Sequence, residues 1–187
     1  MLTAERVAEI LGLEPLPFEG GFFRETYRDP RAIPAGVMPG VENATPRACS
    51  TQIYYMLTTE QTSSLHRLRV DEVFHHYLGD AVRQLRIDPR PGDQGGPHVA
   101  EIAVMGSDLQ AGERPQLLAP AEVWQGAELV PGGQHGFALL GTTVAPGFVW
   151  EDFDLITAVQ AGALAEAVPE HAEMIRRLTP AEGRTRA

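Results

Sequence analysis

The chain has 187 residues, enough for one domain with a sizeable core, and 43% of them are hydrophobic, as is usual in globular proteins. A formal net charge of -10 argues against nucleic acid or an anionic membrane surface as a partner. Cys49 is the single cysteine, which excludes an intrachain disulfide and multi-cysteine zinc sites. The sequence contains no apolar run near the ~20 residues of a membrane span and no signal-peptide pattern, so we expect a cytoplasmic protein.

Short helices are predicted near both ends of the chain. Thr3 can cap a helix that runs to about Leu11, where Gly12 is a stop signal. Pro169 suits the first turn of a second helix over 170–178. Between the helices, short segments separated by Gly and Pro clusters predict strands at Thr51–Leu57, Glu72–Leu78, Val82–Ile87, Val99–Met105, Gln116–Leu118, Gly136–Thr143 and Phe148–Asp152. This pattern predicts a single all-β domain, built as a sandwich or a barrel.

The segment 64–79 concentrates ionisable side chains on a stretch with strand character. It contains His66, Glu72, His75 and His76. Imidazole and carboxylate groups bind divalent metals or transfer protons near neutral pH. In a strand that starts at Glu72, alternation puts His76 on the face of Glu72 and His75 on the opposite face. The alternative is that these side chains are merely solvated beside a turn.

A second polar cluster lies in the segment 20–28. Its Arg24 and Arg28 can clamp a carboxylate or phosphate, and Tyr27 can donate a proton. An ordinary edge strand with solvated arginines explains the same residues equally well.

Uncharged side chains supply three further candidates for a substrate pocket. Gln52 shares one face of its predicted strand with Tyr54, although a half-buried surface strand accounts for this pattern about as well. Trp124 offers an apolar wall and Gln125 a neutral polar contact. A single Trp is more often part of a core than a platform for a ligand.

The histidine-containing segment resembles the first motif of the cupins, which are small double-stranded β-barrels. That motif has an H-x-H pair, then a Glu, then a Gly seven positions after the Glu. Glu72 and Gly79 match the interval, His66 stands near the second His, and Ser64 stands where the first is expected.

The second cupin motif, P-x-G-x-x-H, is matched in part. Pro120 fits it, whereas Glu122 replaces the Gly and Gln125 replaces the His. Ser64 and Gln125 are weak metal ligands at positions where cupins carry His. We therefore expect no metal cofactor, and a bound divalent metal is the alternative.

More closely, the chain resembles a cupin branch catalogued as a domain of unknown function, the cupin-5-like branch. The shared segments are 19–27, 50–55, 66–79, 120–125 and 145–148. They define a domain core of about 13–155 within a single cupin domain that covers residues 1–187.

This resemblance implies a double-stranded β-helix, or jelly-roll barrel, with short N- and C-terminal helices, and it implies a homodimer. It also implies kinship in fold with sugar-nucleotide epimerases, which work without metal through a His base and a Tyr acid. In the branch, a histidine three positions past the Glu is typical. That favours His75, whereas strand alternation favours His76.

The leading interpretation is a metal-independent isomerase or epimerase that acts on a sugar-like or anionic polar metabolite. His66 would be the base, and Tyr27 or His76 would return the proton. Arg24 would hold an anionic group or the developing enolate, and Glu72 would orient a histidine. The expected substrate contacts are Arg24, Gln52, His75, Trp124 and Gln125.

Two other functions fit the same residues. One is a non-catalytic module that binds or senses a metabolite in the barrel. The other is a metal-dependent cupin enzyme, in which His66, Glu72 and His76 would form a two-His, one-carboxylate site.

Overall fold

The structure is a computed structural model that describes residues 2–37, 46–90 and 98–180. Its strands are β1 (Glu14–Pro15), β2 (Phe22–Arg28), β3 (Ala32–Ile33), β4 (Arg47–Ala48), β5 (Thr51–Thr58), β6 (Ser63–Leu68), β7 (Glu72–Gly79), β8 (Val82–Ile87), β9 (Ala100–Met105), β10 (Gln116–Ala119), β11 (Trp124–Leu129), β12 (Phe137–Val144) and β13 (Phe153–Leu155). Its α-helices are α1 (Ala4–Leu11), α2 (Ala158–Ala167) and α3 (Ala172–Leu178). Across those ranges, each helix is too short or too polar to cross a membrane.

All the described strands except β3 and β4, which pair with each other, form two antiparallel sheets, and this confirms the predicted all-β class. The larger sheet has the order β1-β2-β5-β12-β7-β10, and the smaller has the order β13-β6-β11-β8-β9. The two sheets enclose a core that includes Leu57, Phe74, Met105 and Leu140, each at most 2% exposed. Neighbours in the sheets are distant in sequence, as in a jelly roll.

Short helices cover the outer faces of both sheets. On β5, Tyr55 and Leu57 point into the barrel, whereas Met56 packs outward with Val7 of α1. Side chains of β6 and β11, such as Leu65, pack in the same way against α2 and α3. Strands that are buried on both faces do not alternate between polar and apolar residues. This explains why β6 and β11 were not predicted from the sequence.

The stretch that precedes β13 differs from its predicted structure. A strand was expected over Phe148–Asp152, but residues Trp150–Asp152 form a 3₁₀ turn and the strand begins only at Phe153. The helix α2 was not predicted, although Thr157 and Gln160 form a capping box at its start.

A buried ion pair holds this loop against the barrel. Arg47 Nη1 lies 2.6 Å from Asp152 Oδ2, and both side chains are at most 3% exposed. The guanidinium also donates to the carbonyl of Gly147, with an Nε to oxygen distance of 2.9 Å. The loop 146–152 is therefore attached at both ends to one guanidinium.

Replacing Asp152 by Ala should destabilise the fold strongly, because Arg47 would keep its charge in a buried position without its carboxylate. We expect a loss of about 3–5 kcal/mol in the free energy of unfolding, measured by urea denaturation. The exposed pair Arg6–Glu9 supplies the control, since Glu9→Ala should change stability little. A loss below about 1 kcal/mol for Asp152→Ala would contradict the role assigned to the pair.

Candidate functional site

One end of the barrel holds a cavity of about 460 Å³ between the two sheets. This volume suits a small molecule. Its apolar walls come from both sheets and from the loop before β13: Leu16, Phe23, Ile53, Leu68, Val144, Phe148, Val149, Trp150 and Phe153. Its polar lining consists of Glu19, Glu25, Arg28, Thr51, His66, Glu72, Thr142 and Glu151.

His66 lies in this cavity on β6 and is 2% exposed. Its Nδ1 stands 2.8 Å from the backbone oxygen of Ser64, and a carbonyl can only accept, so Nδ1 carries a proton. The imidazole stacks on Phe153 with ring centroids 5.1 Å apart. Among the described residues, none forms a hydrogen bond with Nε2. In the neutral ring, Nε2 therefore keeps its lone pair for a ligand or a proton.

Glu72 begins β7 and is held by a chain of two amides. Gln125 Nε2 donates to Glu72 Oε2 at 2.8 Å, and Gln84 Nε2 donates to Gln125 Oε1 at 3.1 Å. Both glutamines are buried, at most 2% exposed. The chain fixes the carboxylate in one orientation beside His66.

Burial raises the pKa of Glu72 from its usual 4.5 to about 6. The positive charge of His66 opposes this shift, the charge of Glu19 adds to it, and hydrogen bonds from Thr142 and Gln125 oppose it. A carboxyl group with a pKa near neutrality exchanges protons readily in either direction.

Glu19 reaches the cavity because of an unusual turn before β2. Gly20 and Gly21 adopt left-handed φ values of 101° and 73°, which side chains rarely allow. Tyr55 Oη donates to the Gly20 carbonyl at 3.0 Å, and Ser63 Oγ donates to Glu19 Oε1 at 2.7 Å. These contacts fix the Glu19 carboxylate at the wall of the cavity.

A β-bulge in β2 decides which of its side chains line the cavity. Glu25 pairs with Ile53 and Arg28 with Thr51, so Thr26 is an extra residue between them. Ile53 and Thr51 face the cavity, and the bulge therefore brings Arg28 to the same side as Glu25. The guanidinium makes two bonds to the Glu25 carboxylate, with Nε to Oε1 at 3.1 Å and Nη2 to Oε2 at 2.7 Å.

Three sequence candidates of β2 and β5 lie outside the cavity. Tyr27 pairs with Gln52 in the register, and both side chains are exposed. Arg24 is also exposed, and its Nη1 donates to the backbone oxygen of Leu11 at 3.2 Å. Simple alternation placed Tyr27 on the opposite face from Arg24 and Arg28, and the extra residue changes this arrangement.

The two adjacent histidines of β7 also lie away from the cavity. His75 is on the outer face of the larger sheet, where its ring stacks on Tyr77 and Nε2 lies 3.1 Å from Thr143 Oγ1. His76 is four residues beyond Glu72, about 13 Å along the strand, and its Nε2 donates to the Asp80 carbonyl at 3.1 Å. Neither histidine can act together with His66.

Trp124 and Gln125 are consecutive residues of β11, so their side chains lie on opposite faces of the sheet. Trp124 points outward, is 4% exposed and packs in the cluster under α2 and α3. Gln125 points inward and pairs with His66 in the register. It reaches Glu72 rather than the open cavity, so its role is to position the carboxylate.

The residues of the cavity do not form a cupin metal site. Among the described residues, no group of three or more His, Cys, Asp or Glu is arranged to hold a metal ion. The set His66, Glu72 and His76 is not brought together. Gln125 directs its amide NH₂ at Glu72, and its oxygen accepts from Gln84, so both ends of the amide are engaged in hydrogen bonds within the protein.

Sequence reasoning missed several residues that line the cavity. Glu19 lies in a segment that the branch resemblance includes, but a carboxylate beside a Gly-Gly turn has no distinctive spacing. Thr142 is inward because it shares a strand face with the core residue Leu140, and alternation along β12 could have found it. Phe148 and Trp150 face the cavity from a loop with no repeating pattern.

Comparison with known proteins identifies the family. The family model described as the cupin superfamily (DUF985) matches residues 5–156. The chain belongs to this family. No curated protein has a sequence that matches.

Solved structures agree with the family assignment. A protein from Shewanella oneidensis is 32% identical, with a TM-score of 0.77 over 97% of this chain and 100% of that one. A hypothetical protein from Leishmania major is 28% identical, with a TM-score of 0.77 over 94% and 98% of the two chains. A cupin-2 domain protein from Rhodospirillum rubrum, 10% identical with a TM-score of 0.54 over 90% and 91%, shares the fold.

Glu72→Gln should remove a pH dependence of stability. The pKa of Glu72 is about 6 in the folded state, above its usual 4.5. The protonated carboxyl group therefore makes its full contribution to the free energy of unfolding below pH 4.5, and this contribution is lost as the pH rises through about 6. Above that pH, Glu72→Gln should therefore be more stable than the parent, by about 2 kcal/mol, with no such gain in acid. Urea denaturation across this pH range measures the difference.

Glu14→Gln is the matched control, since Glu14 is exposed on β1. Its stability relative to the parent should not change over the same pH window. A Glu72→Gln effect that is independent of pH would contradict the raised pKa.

Proposed function

We propose that this cupin is a metal-independent isomerase or epimerase of a small, polar, sugar-like carbonyl compound. The observation that carries the proposal is the buried pair of His66 and Glu72 in one cavity, where no described residue forms a hydrogen bond with Nε2 of the imidazole. A base with a free lone pair beside a carboxyl group of raised pKa is suited to moving protons between carbon and oxygen.

The proposed reaction begins with removal of a proton from the carbon next to the carbonyl. Nε2 of His66 takes that proton, the C–H electrons form a carbon–carbon double bond, and the carbonyl oxygen receives a proton from Glu72. The site then contains an imidazolium and a carboxylate, whose charges attract each other in a cavity of low polarity. The imidazolium then gives its proton to the former carbonyl carbon while Glu72 takes the proton of the neighbouring hydroxyl group, which gives the isomer; an epimer forms when solvent water supplies the proton to the opposite face of the first carbon and the imidazolium and Glu72 recover their original protonation states.

Two features support these assignments. The bond from Nδ1 to the Ser64 carbonyl orients the imidazole and stabilises its charged form. The amide chain through Gln125 stabilises the Glu72 carboxylate after it gives up its proton. Gln125 is therefore a positioning residue in this mechanism, and Tyr27, His75 and His76 have no part in it.

Exchange of carbon-bound hydrogen with solvent deuterium tests the proposal. Candidate sugar-like carbonyl compounds are incubated with the protein in D₂O, and incorporation is followed by NMR. His66→Gln should lower the exchange rate by about 100-fold or more, because it removes the base. His75→Gln is the matched control and should retain the parent rate, since His75 lies on the outer face of the sheet.

The pH profile provides a second test of the same mechanism. The parent should show a change in rate near pH 6, where Glu72 titrates, and Glu72→Gln should lose that change along with most of the activity. Parent-like exchange in His66→Gln would overturn the mechanism. Binding of a compound with no exchange at all would favour a metabolite-binding module instead.

The expected homodimer and cytoplasmic location stay predictions.

A further inference from the structure

The charges that line the cavity are unbalanced in favour of carboxylates. Of the residues that the structure describes, four glutamates line it, namely Glu19, Glu25, Glu72 and Glu151, against a single guanidinium, that of Arg28. Arg28 is already engaged by both oxygens of Glu25. An anion that enters the cavity would therefore meet carboxylates with no unpaired guanidinium to receive it.

The aromatic rings in the cavity wall also favour a cation over an anion. Phe148 and Trp150 are nearly perpendicular, at 79° with centroids 5.1 Å apart, and Trp150 and Phe153 meet at 77° and 5.5 Å. The face of an aromatic ring carries partial negative charge and attracts ammonium groups. These rings line the same cavity as the four glutamates, so any ring face that is open to the cavity adds to the attraction of the carboxylates for a cation.

The cavity also contains a polar atom that is available to a ligand. His66 is 2% exposed, and its Nε2 has no hydrogen-bonding partner among the described residues. Neutral polar groups of a ligand, such as hydroxyl or carbonyl oxygens, can interact there. The cavity thus combines a cation-attracting wall with a site for an uncharged polar group.

We infer that the ligand of this cavity is an organic cation, a small polar carbonyl compound that carries a basic amine, of the amino-sugar class. This inference rests on the proposed function for the carbonyl group and on the cavity charges for the amine. It narrows the substrate class, since the anionic metabolites that the sequence allowed depend on Arg24, which lies outside the cavity, or on Arg28, which Glu25 already engages.

Three sugars on one scaffold test the inference: glucosamine, glucose and glucuronate, which are a cation, a neutral molecule and an anion near neutral pH. Their affinities for the intact protein are measured by ligand-observed NMR titration at low ionic strength. We expect glucosamine to bind at least about tenfold more tightly than glucuronate, with glucose between them. Added salt should reduce the glucosamine advantage.

The variant Glu19→Gln tests whether the Glu19 carboxylate is the charge that attracts the amine. The Gln side chain keeps an oxygen that can accept from Ser63, so folding should be preserved, while glucosamine should bind about five- to tenfold more weakly and glucose equally well. Glu14→Gln removes the same charge on exposed β1, outside the cavity lining, and should leave all three affinities unchanged. Phe148→Leu should also weaken glucosamine selectively.

The outcomes separate this inference from the proposed function. Glucuronate binding as tightly as glucosamine, or no detectable binding of glucosamine, overturns the inference. Binding of glucosamine without deuterium exchange in any amine-bearing carbonyl compound supports the inference and contradicts the proposed chemistry. Exchange confined to neutral or anionic sugars supports the chemistry and overturns the inference.

Discussion

The buried carboxyl group of Glu72 is the constraint on which the rest of the site depends. A carboxylate between two sheets is strongly destabilised unless hydrogen bonds compensate for the lost water. Gln125 supplies that compensation by donating a hydrogen bond to Glu72, and Gln84 in turn donates one to Gln125. Two buried amides of the smaller sheet therefore hold one carboxyl group of the larger sheet. Without this chain, Glu72 would lose its fixed orientation beside His66.

The same constraint explains what Gln125 does at the position where the second cupin motif has His. Where the motif supplies His, Gln125 presents an amide whose NH₂ faces Glu72 and whose oxygen faces Gln84. The position therefore acts through hydrogen bonding. One nitrogen of the His66 imidazole is bound to a backbone carbonyl, and no residue that the structure describes forms a hydrogen bond with the other.

The opposite wall of the cavity depends on a second buried charge. Arg47 attaches the loop 146–152 to the barrel through Asp152 and the Gly147 carbonyl. This loop contributes Phe148 and Trp150 to the cavity. Site shape and fold stability are therefore linked, because loss of the ion pair would release the aromatic wall and also leave a buried guanidinium without its partner.

The sequence by itself determined the all-β class and the helices at both ends, because these features follow from local periodicity, and its resemblance to the cupin motifs named His66, Glu72 and Gln125 as candidates. Only the tertiary structure decided which residues of β2 and β7 face the cavity. One extra residue at Thr26 turns Arg28 inward and Tyr27 outward, and a bulge arises from pairing between distant strands, which local pattern does not encode. The approach of Glu19, Phe148 and Trp150 depends likewise on how loops pack against the finished barrel.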